Sequence, residues 1–236
     1  MCFAKVLSRL EVKHLITKGV RLGEGAYGTA YLVKWDGAET VLKVAKDFAD
    51  LQVYQREAYF LEQLGGAGGA PRLLATSVDP PAILISFVGQ ETLKRVLLER
   101  ELPDEYLGLI GLQMCLRVKE CHLLGICHKD LHTENIIVNI PDDLSLPPEV
   151  CLIDFGLAVY NESALAQLPG DDPYHGLSQT KGSKVTSFKI DVADLGYEIC
   201  ANMEAEAPQS VRLMAVDASL GTLTLDDLIT GLKEFF

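Results

Sequence analysis

Two carboxylates and one carboxamide lie within a short stretch of the chain, and their types suit phosphoryl transfer. Asp130 and Asn135 belong to the segment His128-Lys-Asp-Leu-His-Thr-Glu-Asn135, and Asp154 begins the triplet Asp154-Phe-Gly156. Phosphoryl transfer from a nucleotide requires a carboxylate that orients the acceptor hydroxyl and oxygen ligands that hold Mg²⁺ against the phosphates. Asp130 is the candidate for the first task, and Asn135 and Asp154 are the candidates for the second.

A glycine-rich segment and a lysine precede these residues. Gly23, Gly25 and Gly28 have the spacing G-x-G-x-x-G, and the apolar runs on either side predict two strands joined by a tight turn. Because glycine has no Cβ, such a turn lets backbone amides approach phosphate oxygens closely. Lys43 follows two apolar residues on the next predicted strand, from which its ammonium would reach those oxygens.

Dinucleotide-binding folds also use this glycine spacing, but there the glycines open a helix that follows a strand. In this chain Thr29-Ala-Tyr-Leu-Val33 is typical of a strand, and a second strand carrying Lys43 takes the place of the crossover helix. The order of glycine loop, strand lysine, H-x-D-x-x-x-x-N and D-F-G resembles the protein-kinase superfamily from about Val20 to Gly196.

The resemblance implies an α+β, two-lobed fold. Its N-lobe would contain a small antiparallel β-sheet and one helix, and its C-lobe would be mainly helical. It implies a single protein-kinase-like domain over residues 1–236, with the N-lobe at 1–88 and the C-lobe at 89–236. ATP and Mg²⁺ are the implied cofactors, with ATP in the cleft between the lobes. Only 40 residues follow Gly196, so we expect a truncated C-lobe.

The resemblance also assigns roles to the polar candidates. Asp130, Lys43 and Asn135 match catalytic positions of the family, and Lys43 is the lysine that anchors ATP. Asn135 and Asp154 match the two metal ligands. These assignments agree with the chemistry inferred from the residue types alone.

Two further residues match positions that support the site. Glu57 matches the helix glutamate that pairs with the lysine, and Glu62 is the alternative partner. Either glutamate could instead be a solvated helix charge. Asp191 resembles the aspartate that opens the buried helix of the large lobe.

The implied nucleotide-binding residues form a roof over the adenine (Leu22, Ala30, Val41), a floor (Ile137), a gatekeeper (Ile85), a hinge (Ser86, Phe87, Val88), a phosphate loop (Gly23, Glu24, Gly25, Ala26, Tyr27, Gly28) and polar partners (Lys43, Glu57, Asp154). The apolar members are equally suited to the hydrophobic core. Both interpretations hold together, because ligand pockets are mostly apolar with a few placed polar groups.

The catalytic loop departs from the family pattern at two positions. Lys129 stands where protein kinases usually carry arginine, and lysine lacks the planar fork that binds phosphate bidentately. His132 stands where serine/threonine kinases usually carry lysine and tyrosine kinases alanine. Asp-Leu-His resembles the loop of aminoglycoside and choline kinases. A single histidine is more often packed or at the surface than catalytic, so contact with substrate or phosphate is the alternative interpretation.

The segment before Asp191 also departs from the family. Residues 175–190 contain no Ala-Pro-Glu, whose glutamate pairs in the family with a late arginine. Arg212 is the only arginine after Gly196. We therefore expect a peptide-docking shelf that is reduced or rebuilt, and this leaves the acceptor open.

Further elements follow from periodicity and breaker residues. We predict a lead-in helix or strand before Val20, a short helix at 91–101, and a longer helix opened by Pro103, since proline and acidic residues suit a helix N-terminus. Residues 140–149 read as a surface insertion in a hairpin. Thr224 is the predicted N-cap of the last helix.

Composition bounds the remaining questions. The 236 residues suit one compact domain, and the net charge of −12 disfavours nucleic acid or anionic membrane as a partner. It leaves a basic protein substrate open. No apolar run reaches the roughly twenty residues of a membrane span. The six cysteines contain no C-x-x-C, which favours reduced thiols and an intracellular, cytoplasmic location, with the nucleus not excluded.

The leading hypothesis is therefore an ATP- and Mg²⁺-dependent protein kinase that phosphorylates serine or threonine hydroxyls. A kinase of the same fold for a small-molecule acceptor is one alternative. A pseudokinase scaffold that binds partners without turnover is another, although no catalytic position is missing. A regulatory partner protein that completes the compact C-lobe is compatible with each hypothesis.

Overall fold

The computed structural model describes residues 5–167, 188–202 and 209–235. The chain forms two compact units. Unit 1 contains the residues up to Gly66, Ala70–Gln90 and Phe155–Leu157, and unit 2 contains Ala67–Gly69, Glu91–Asp154 and the residues from Ala158 onward. The predicted lobe boundary at 88/89 lies two residues before this division at 90/91. That the whole chain is one domain stays a prediction.

Unit 1 contains one six-stranded sheet in the order β1-β5-β6-β4-β3-β2. Its strands are β1 (Lys5–Val6), β2 (Val20–Glu24), β3 (Gly28–Trp35), β4 (Ala38–Ala45), β5 (Leu73–Val78) and β6 (Pro81–Ser86). The α+β prediction is confirmed, but the sheet is mixed and not purely antiparallel, because β1 pairs in parallel with β5. A two-residue edge strand carries too little periodicity to be read from sequence.

Among the described residues of unit 1 there are two α-helices, one in the predicted lead-in segment and one after β4. α1 (Arg9–Lys18) begins at a capping box in which Ser8 and Glu11 satisfy each other's backbone amides. α2 (Leu51–Leu64) ends at Gly65, which adopts the left-handed conformation with φ 56°. The predicted lead-in segment thus contains both a strand and a helix.

Alternation along the strands sorts side chains between the two faces of this sheet. Leu42 and Leu84 are directly paired and fully buried, and they belong to a cluster with Val12 and Leu15 of α1. Their neighbours in the strands point to the opposite face, which includes Lys43. α1 therefore covers one face of the sheet and leaves Lys43 on the other.

Unit 2 is mainly helical, as predicted. Its helices are α3 (Leu93–Glu99), α4 (Asp104–Leu123), α5 (Glu162–Leu165), α6 (Lys189–Asn202), α7 (Gln209–Ser219) and α8 (Leu225–Phe235). α3 and α4 confirm the helices predicted after Glu91 and Pro103. That the C-lobe is truncated stays a prediction.

The last helix begins as the sequence predicted. The amide of Asp227 donates to the Thr224 hydroxyl oxygen at 3.2 Å, and the Asp227 carboxylate accepts from the Thr224 amide at 3.0 Å. α8 packs against α4 and α7. This capping arrangement satisfies two amides at the helix start that would otherwise lack partners.

Two short ribbons organise the centre of unit 2. β8 (Ile136–Asn139) pairs with β9 (Glu149–Leu152), and the predicted insertion forms the connection between them. β7 (Ile126–Cys127) pairs with β10 (Val159–Tyr160). The first ribbon lies between Asn135 and Asp154 in the chain, so it presents both predicted metal ligands from its open end.

Parts of the predicted features lie outside the described residues. These are most of the 175–190 segment, to which the expected reduced or rebuilt peptide-docking shelf belongs, and Cys2. Among the helices that the structure describes, none combines the length and the apolar character needed to cross a bilayer.

Candidate active site

Lys43 of β4 and Glu57 of α2 form an ion pair within unit 1. Lys43 Nζ lies 2.8 Å from Glu57 Oε1 and 2.7 Å from Oε2. The Glu57 carboxylate is 3% exposed and the lysine side chain 20%. A carboxylate this deeply buried is costly without a cation beside it. Glu62, the alternative partner, is exposed, so the structure favours Glu57.

The predicted roof residues lie on the same face of the sheet as Lys43. Ala30 is directly opposite Lys43, and Val41 is opposite Ile85. Ala30 and Val41 are half-buried, whereas Ile85 is 5% exposed. Strand register therefore brings an apolar surface and an ammonium together within unit 1, and this combination suits a base attached to phosphates.

The three glycines of the loop are required for different reasons. An added Cβ at Gly28 would lie 2.0 Å from the Tyr54 hydroxyl oxygen and 2.3 Å from the Val44 carbonyl oxygen, so packing excludes any side chain there. At Gly23 and Gly25 an added Cβ would meet nothing within 4 Å, and neither has a positive φ. Neither packing nor conformation within the chain requires these two glycines. A ligand that approaches the backbone would require them.

The remaining loop residues are solvent-facing. The Glu24 carboxylate pairs with Lys46 at 2.8 Å and with Arg21. The hydrogen bond from Lys46 and the two positive charges lower the pKa of Glu24 below its ordinary value. Ala26 and Tyr27 are exposed. The Glu24 side chain is therefore engaged by two cations of this chain.

The predicted hinge is partly used by the sheet. The Ser86 amide donates to the Arg72 carbonyl oxygen at 2.9 Å, and the Ser86 hydroxyl oxygen accepts from the Arg72 amide at 2.9 Å. The amide of Ser86 is therefore engaged within unit 1, and the next two residues, Phe87 and Val88, are half-buried. Leu22 is 39% exposed on β2.

In unit 2, Asp191 anchors the catalytic loop. Its side chain is fully buried in the first turn of α6. Oδ2 accepts from the His128 amide at 2.9 Å, and Oδ1 accepts from the Lys129 amide at 2.8 Å. His122 Nε2 lies 2.9 Å from Oδ2. One buried carboxylate thus satisfies two consecutive loop amides, as expected for a residue that opens the buried helix.

Asp130 and Asn135 are joined directly. The Asn135 amide nitrogen donates to the Asp130 backbone oxygen at 2.9 Å and to Asp130 Oδ2 at 3.0 Å. The Asp130 amide lies 3.3 Å from His128 Nδ1. Asn135 is 7% exposed, whereas the Asp130 side chain is 40% exposed. The loop therefore holds its carboxylate in a defined position while leaving it accessible.

Ile153 connects the catalytic loop to Asp154. Its amide donates to the Asn135 carbonyl oxygen, and its carbonyl oxygen contacts His128 Nε2, both at 3.0 Å. Burial disfavours the charged ring and lowers the pKa of His128. The next residue, Asp154, has φ 67°, and Lys129 has φ 69°. Left-handed backbone at such residues costs on the order of 1–3 kcal/mol and recurs at functional sites.

The donor set suits Mg²⁺. Asn135 directs its amide nitrogen at Asp130, which leaves its side-chain carbonyl oxygen as a candidate ligand, with the Asp154 carboxylate as the second candidate. Mg²⁺ commonly takes one or two protein oxygens and completes its shell with phosphate and water. Within the described residues no group of three or more His, Cys, Asp or Glu side chains forms a metal cluster. Two protein ligands fit an ion that arrives with the nucleotide.

Ile137, the predicted floor, is 4% exposed in β8 and forms an isolated bridge with Thr92. Buried placement in the ribbon fits both a core residue and a pocket floor. Ile137 can therefore be both a core residue and the floor of a pocket.

Asp194 is a further residue near the loop that the sequence analysis missed. Its carboxylate accepts from the Leu131 amide. Burial, followed by the negative charges of Asp191, Asp130 and Glu198, raises the pKa of Asp194 to about 6. The available signal was spacing, because Asp194 follows Asp191 by three residues and therefore shares its helix face.

Comparison with known proteins agrees with this geometry. Residues 16–210 match the family model of the protein kinase domain. Calcium-dependent protein kinase 5 of Solanum tuberosum is 30% identical over 171 residues, covering 63% of this chain and 29% of that protein. Calcium-dependent protein kinase 26 of Arabidopsis thaliana is 28% identical over 177 residues, covering 67% of this chain and 34% of that protein.

The chain thus spans about a third of the length of these relatives. The family match, in contrast, extends over most of the chain and includes the glycine loop, the Lys43–Glu57 pair, the catalytic loop and Asp154. This chain belongs to the protein kinase family.

Proposed function

We propose that this chain transfers the γ-phosphoryl group of ATP, with Mg²⁺, to serine or threonine hydroxyls of a protein. The observation that supports this most directly is the Asp130–Asn135 contact on a loop anchored by Asp191. It couples an accessible carboxylate to an amide whose remaining oxygen suits a metal. A protein without turnover would not need this carboxylate to be both held and accessible.

The chain's own residues divide the work of phosphoryl transfer. Bound MgATP supplies the phosphoryl group and the divalent charge that neutralises its oxygens. Lys43, oriented by Glu57, binds phosphate oxygens, and the backbone at Gly23 and Gly25 approaches them. Asp130 accepts a hydrogen bond from the acceptor hydroxyl and orients it for attack. Most of the catalytic effect is positioning and charge stabilisation.

The acceptor class rests on the relatives, whose names describe protein kinases. A protein acceptor is therefore the first choice, and a basic one suits the net charge of −12. A small-molecule acceptor is the second candidate, because His132 stands where serine/threonine kinases usually carry lysine. Incubation with radiolabelled ATP and either a generic protein or a metabolite panel separates the two.

The decisive experiment is Asp130→Asn. Loss of the hydroxyl-orienting carboxylate should lower phosphoryl transfer by about 10²–10⁴-fold, while ATP binding measured by calorimetry remains within twofold. Asp142→Asn, in the exposed β8–β9 connection, is the matched control and should transfer phosphate at the wild-type rate. Transfer by Asp130→Asn at the wild-type rate would refute the proposed function.

We further propose that the chain works inside the cell. Cys115, Cys121, Cys127 and Cys151 are free and buried. Burial raises the pKa of all four thiols, that of Cys151 to about 11. Such thiols stay protonated and unreactive. Recovery of the tagged chain from the secreted fraction, and not from the cell lysate, would contradict this proposal.

A further inference from the structure

Tyr54 of α2 contacts the base of the glycine-rich loop. Its side chain is buried, with 4% exposed, and its hydroxyl oxygen lies 2.0 Å from the point that a Cβ of Gly28 would occupy. Because that point is one bond away from the Gly28 Cα, the hydroxyl oxygen is in contact with the loop backbone. The Val44 carbonyl oxygen lies 2.3 Å from the same point. Gly28 is therefore in contact with both α2 and β4.

The same face of α2 carries the glutamate of the ion pair. Glu57 follows Tyr54 by three residues, so the two side chains lie one helical turn apart on the buried side of the helix. Glu57 pairs with Lys43, the residue before Val44 on β4. α2 thus contacts the strands of unit 1 at two neighbouring points, the ammonium of Lys43 and the backbone of Gly28.

Gly28 is the residue on which the turn of the loop closes. The Gly25 amide donates to the Gly28 carbonyl oxygen at 2.9 Å, and Gly28 is paired with Ala45 in the β3–β4 ladder. The Lys46 amide donates to the Tyr27 carbonyl oxygen at 3.1 Å and extends this pairing by one residue. A displacement of Gly28 would therefore move the whole turn.

We propose that Tyr54 is a positioning residue for phosphate binding. Its hydroxyl fixes the approach of Gly28 to α2, and the hydrogen bond from Gly25 to Gly28 passes this position to the turn that approaches the phosphates. The inference rests on the proposed function for ATP as the ligand. It gives α2 a second task besides orienting Lys43. Because the ring acts through the backbone of Gly28, Tyr54 itself does not touch the nucleotide.

The test is Tyr54→Phe, which removes only the hydroxyl. The ring keeps its packing, so the chain should fold, but Gly28 loses the contact that fixes it. Since a small misplacement of a binding group is costly, the dissociation constant for MgATP should rise about three- to tenfold in calorimetry, while that for adenosine should change by less than about twofold. Adenosine carries no phosphate, so it does not depend on the loop. Equal weakening of both ligands, or unchanged affinity for MgATP, would overturn the proposal.

Tyr106→Phe is the matched control, because it removes another buried tyrosine hydroxyl, in unit 2. Tyr106 is 3% exposed, and its hydroxyl donates to the Leu146 carbonyl oxygen at 3.3 Å. This variant should bind MgATP and adenosine as the wild-type chain does. A rise in the MgATP dissociation constant as large as that in Tyr54→Phe would show that loss of any buried hydroxyl has this effect, and the proposal would fail.

The contact itself is tested by combining Tyr54→Phe with Gly28→Ala. The alanine methyl group would meet the Tyr54 hydroxyl oxygen and the Val44 carbonyl oxygen, so removal of the hydroxyl relieves one of two close contacts. The shift in urea midpoint caused by Gly28→Ala should therefore be smaller in the Tyr54→Phe background. Equal shifts in both backgrounds would show that the hydroxyl and Gly28 do not touch, against the proposal.

These measurements need no turnover, which separates them from the proposed function. A wild-type chain that binds MgATP but transfers no phosphate to any acceptor would refute the proposed function, and the dissociation constants would still decide the role of Tyr54. A wild-type chain that binds no MgATP would overturn both.

Discussion

Lys43 stands on a regular strand of unit 1, whereas Asp130 stands in a loop of unit 2 whose backbone is irregular. The position of Lys43 follows from strand register and from one bidentate contact to Glu57. The position of Asp130 follows from side chains distant in sequence that bind successive backbone amides. In unit 1 the hydrogen bonds between strands fix the position of Lys43. In unit 2 hydrogen bonds from side chains to the backbone fix the position of Asp130.

Four successive backbone amides around Asp130 each have a side-chain partner. Asp191 binds those of His128 and Lys129, His128 Nδ1 lies near that of Asp130, and Asp194 binds that of Leu131. A loop without regular hydrogen bonding must find such partners or leave buried donors unsatisfied, at about 1–3 kcal/mol each. The catalytic loop therefore depends on these side-chain acceptors more than a strand depends on any one side chain.

The largest loss of stability is expected from Asp191→Ala. The substitution leaves the amides of His128 and Lys129 without their buried acceptor, so we expect the free energy of unfolding to fall by about 3–5 kcal/mol. Urea denaturation of the full chain measures this loss. Asp142→Ala in the exposed β8–β9 connection removes a carboxylate without buried partners and should change stability by under about 0.5 kcal/mol. Equal small losses in both variants would contradict the anchoring role.

The same contrast explains what could be predicted from sequence. Alternating apolar residues and the glycine pattern indicated β2, β3 and β4. In the structure, the register of the paired strands determines which side chains share a face of the sheet with Lys43. The Lys43–Glu57 pair was predicted from the family resemblance, with Glu62 as the alternative partner, and the structure pairs Lys43 with Glu57. The proline before α4 and the threonine before α8 marked helix starts through local chemistry.

Contacts that depend on the tertiary fold were not predictable in this way. Asp194 reaches Leu131 only after α6 packs beside the loop, and no local pattern reports that approach. Asp154 has a left-handed backbone next to Ile153, whose amide donates to the Asn135 carbonyl oxygen, and no local pattern reports that conformation. α1 was ambiguous between helix and strand because its buried residues, Val12 and Leu15, cover only one turn.

A smaller effect is expected from paired substitutions in the unit 1 loop. Gly28→Ala places a methyl group against the Tyr54 hydroxyl and the Val44 carbonyl oxygen, and such overpacking should lower the unfolding free energy by about 1–3 kcal/mol. Gly25→Ala meets no neighbour and should change it by under about 0.5 kcal/mol. Urea denaturation of both variants measures the difference.

For ATP binding, Gly25→Ala should have an effect although it leaves the stability of the fold unchanged. Gly25→Ala should weaken ATP binding in calorimetry although the fold is unchanged, because its methyl group occupies the approach to the backbone. Unchanged ATP affinity would mean that Gly25 serves neither ligand nor fold. A Gly25→Ala variant as unstable as Gly28→Ala would remove the distinction between the two glycines.

The smallest effect on stability is expected from Asp194, beside the unit 2 loop. Burial and the charges of Asp191, Asp130 and Glu198 raise the pKa of Asp194 from its ordinary value to about 6. The folded state therefore binds this proton more tightly than the unfolded state. The resulting stability is fully present below the unfolded pKa and is lost as pH rises through about 6. Ionised Asp194 thus weakens the fold at neutral pH.

Asp194→Asn should accordingly stabilise the chain at pH 7.5. Asparagine keeps an oxygen for the Leu131 amide and removes the charge, so we expect a gain of about 1 kcal/mol after allowing for solvent screening at a half-exposed group. The gain over wild type should grow between pH 4.5 and pH 6.5 and stay constant above about 7, as followed by urea denaturation at each pH. A gain independent of pH would show that the carboxylate is not strained by its neighbours. A loss of stability at pH 7.5 would show that the loop requires the charge of Asp194 as well as its oxygen, which would make Asp194 a second ionic anchor beside Asp191.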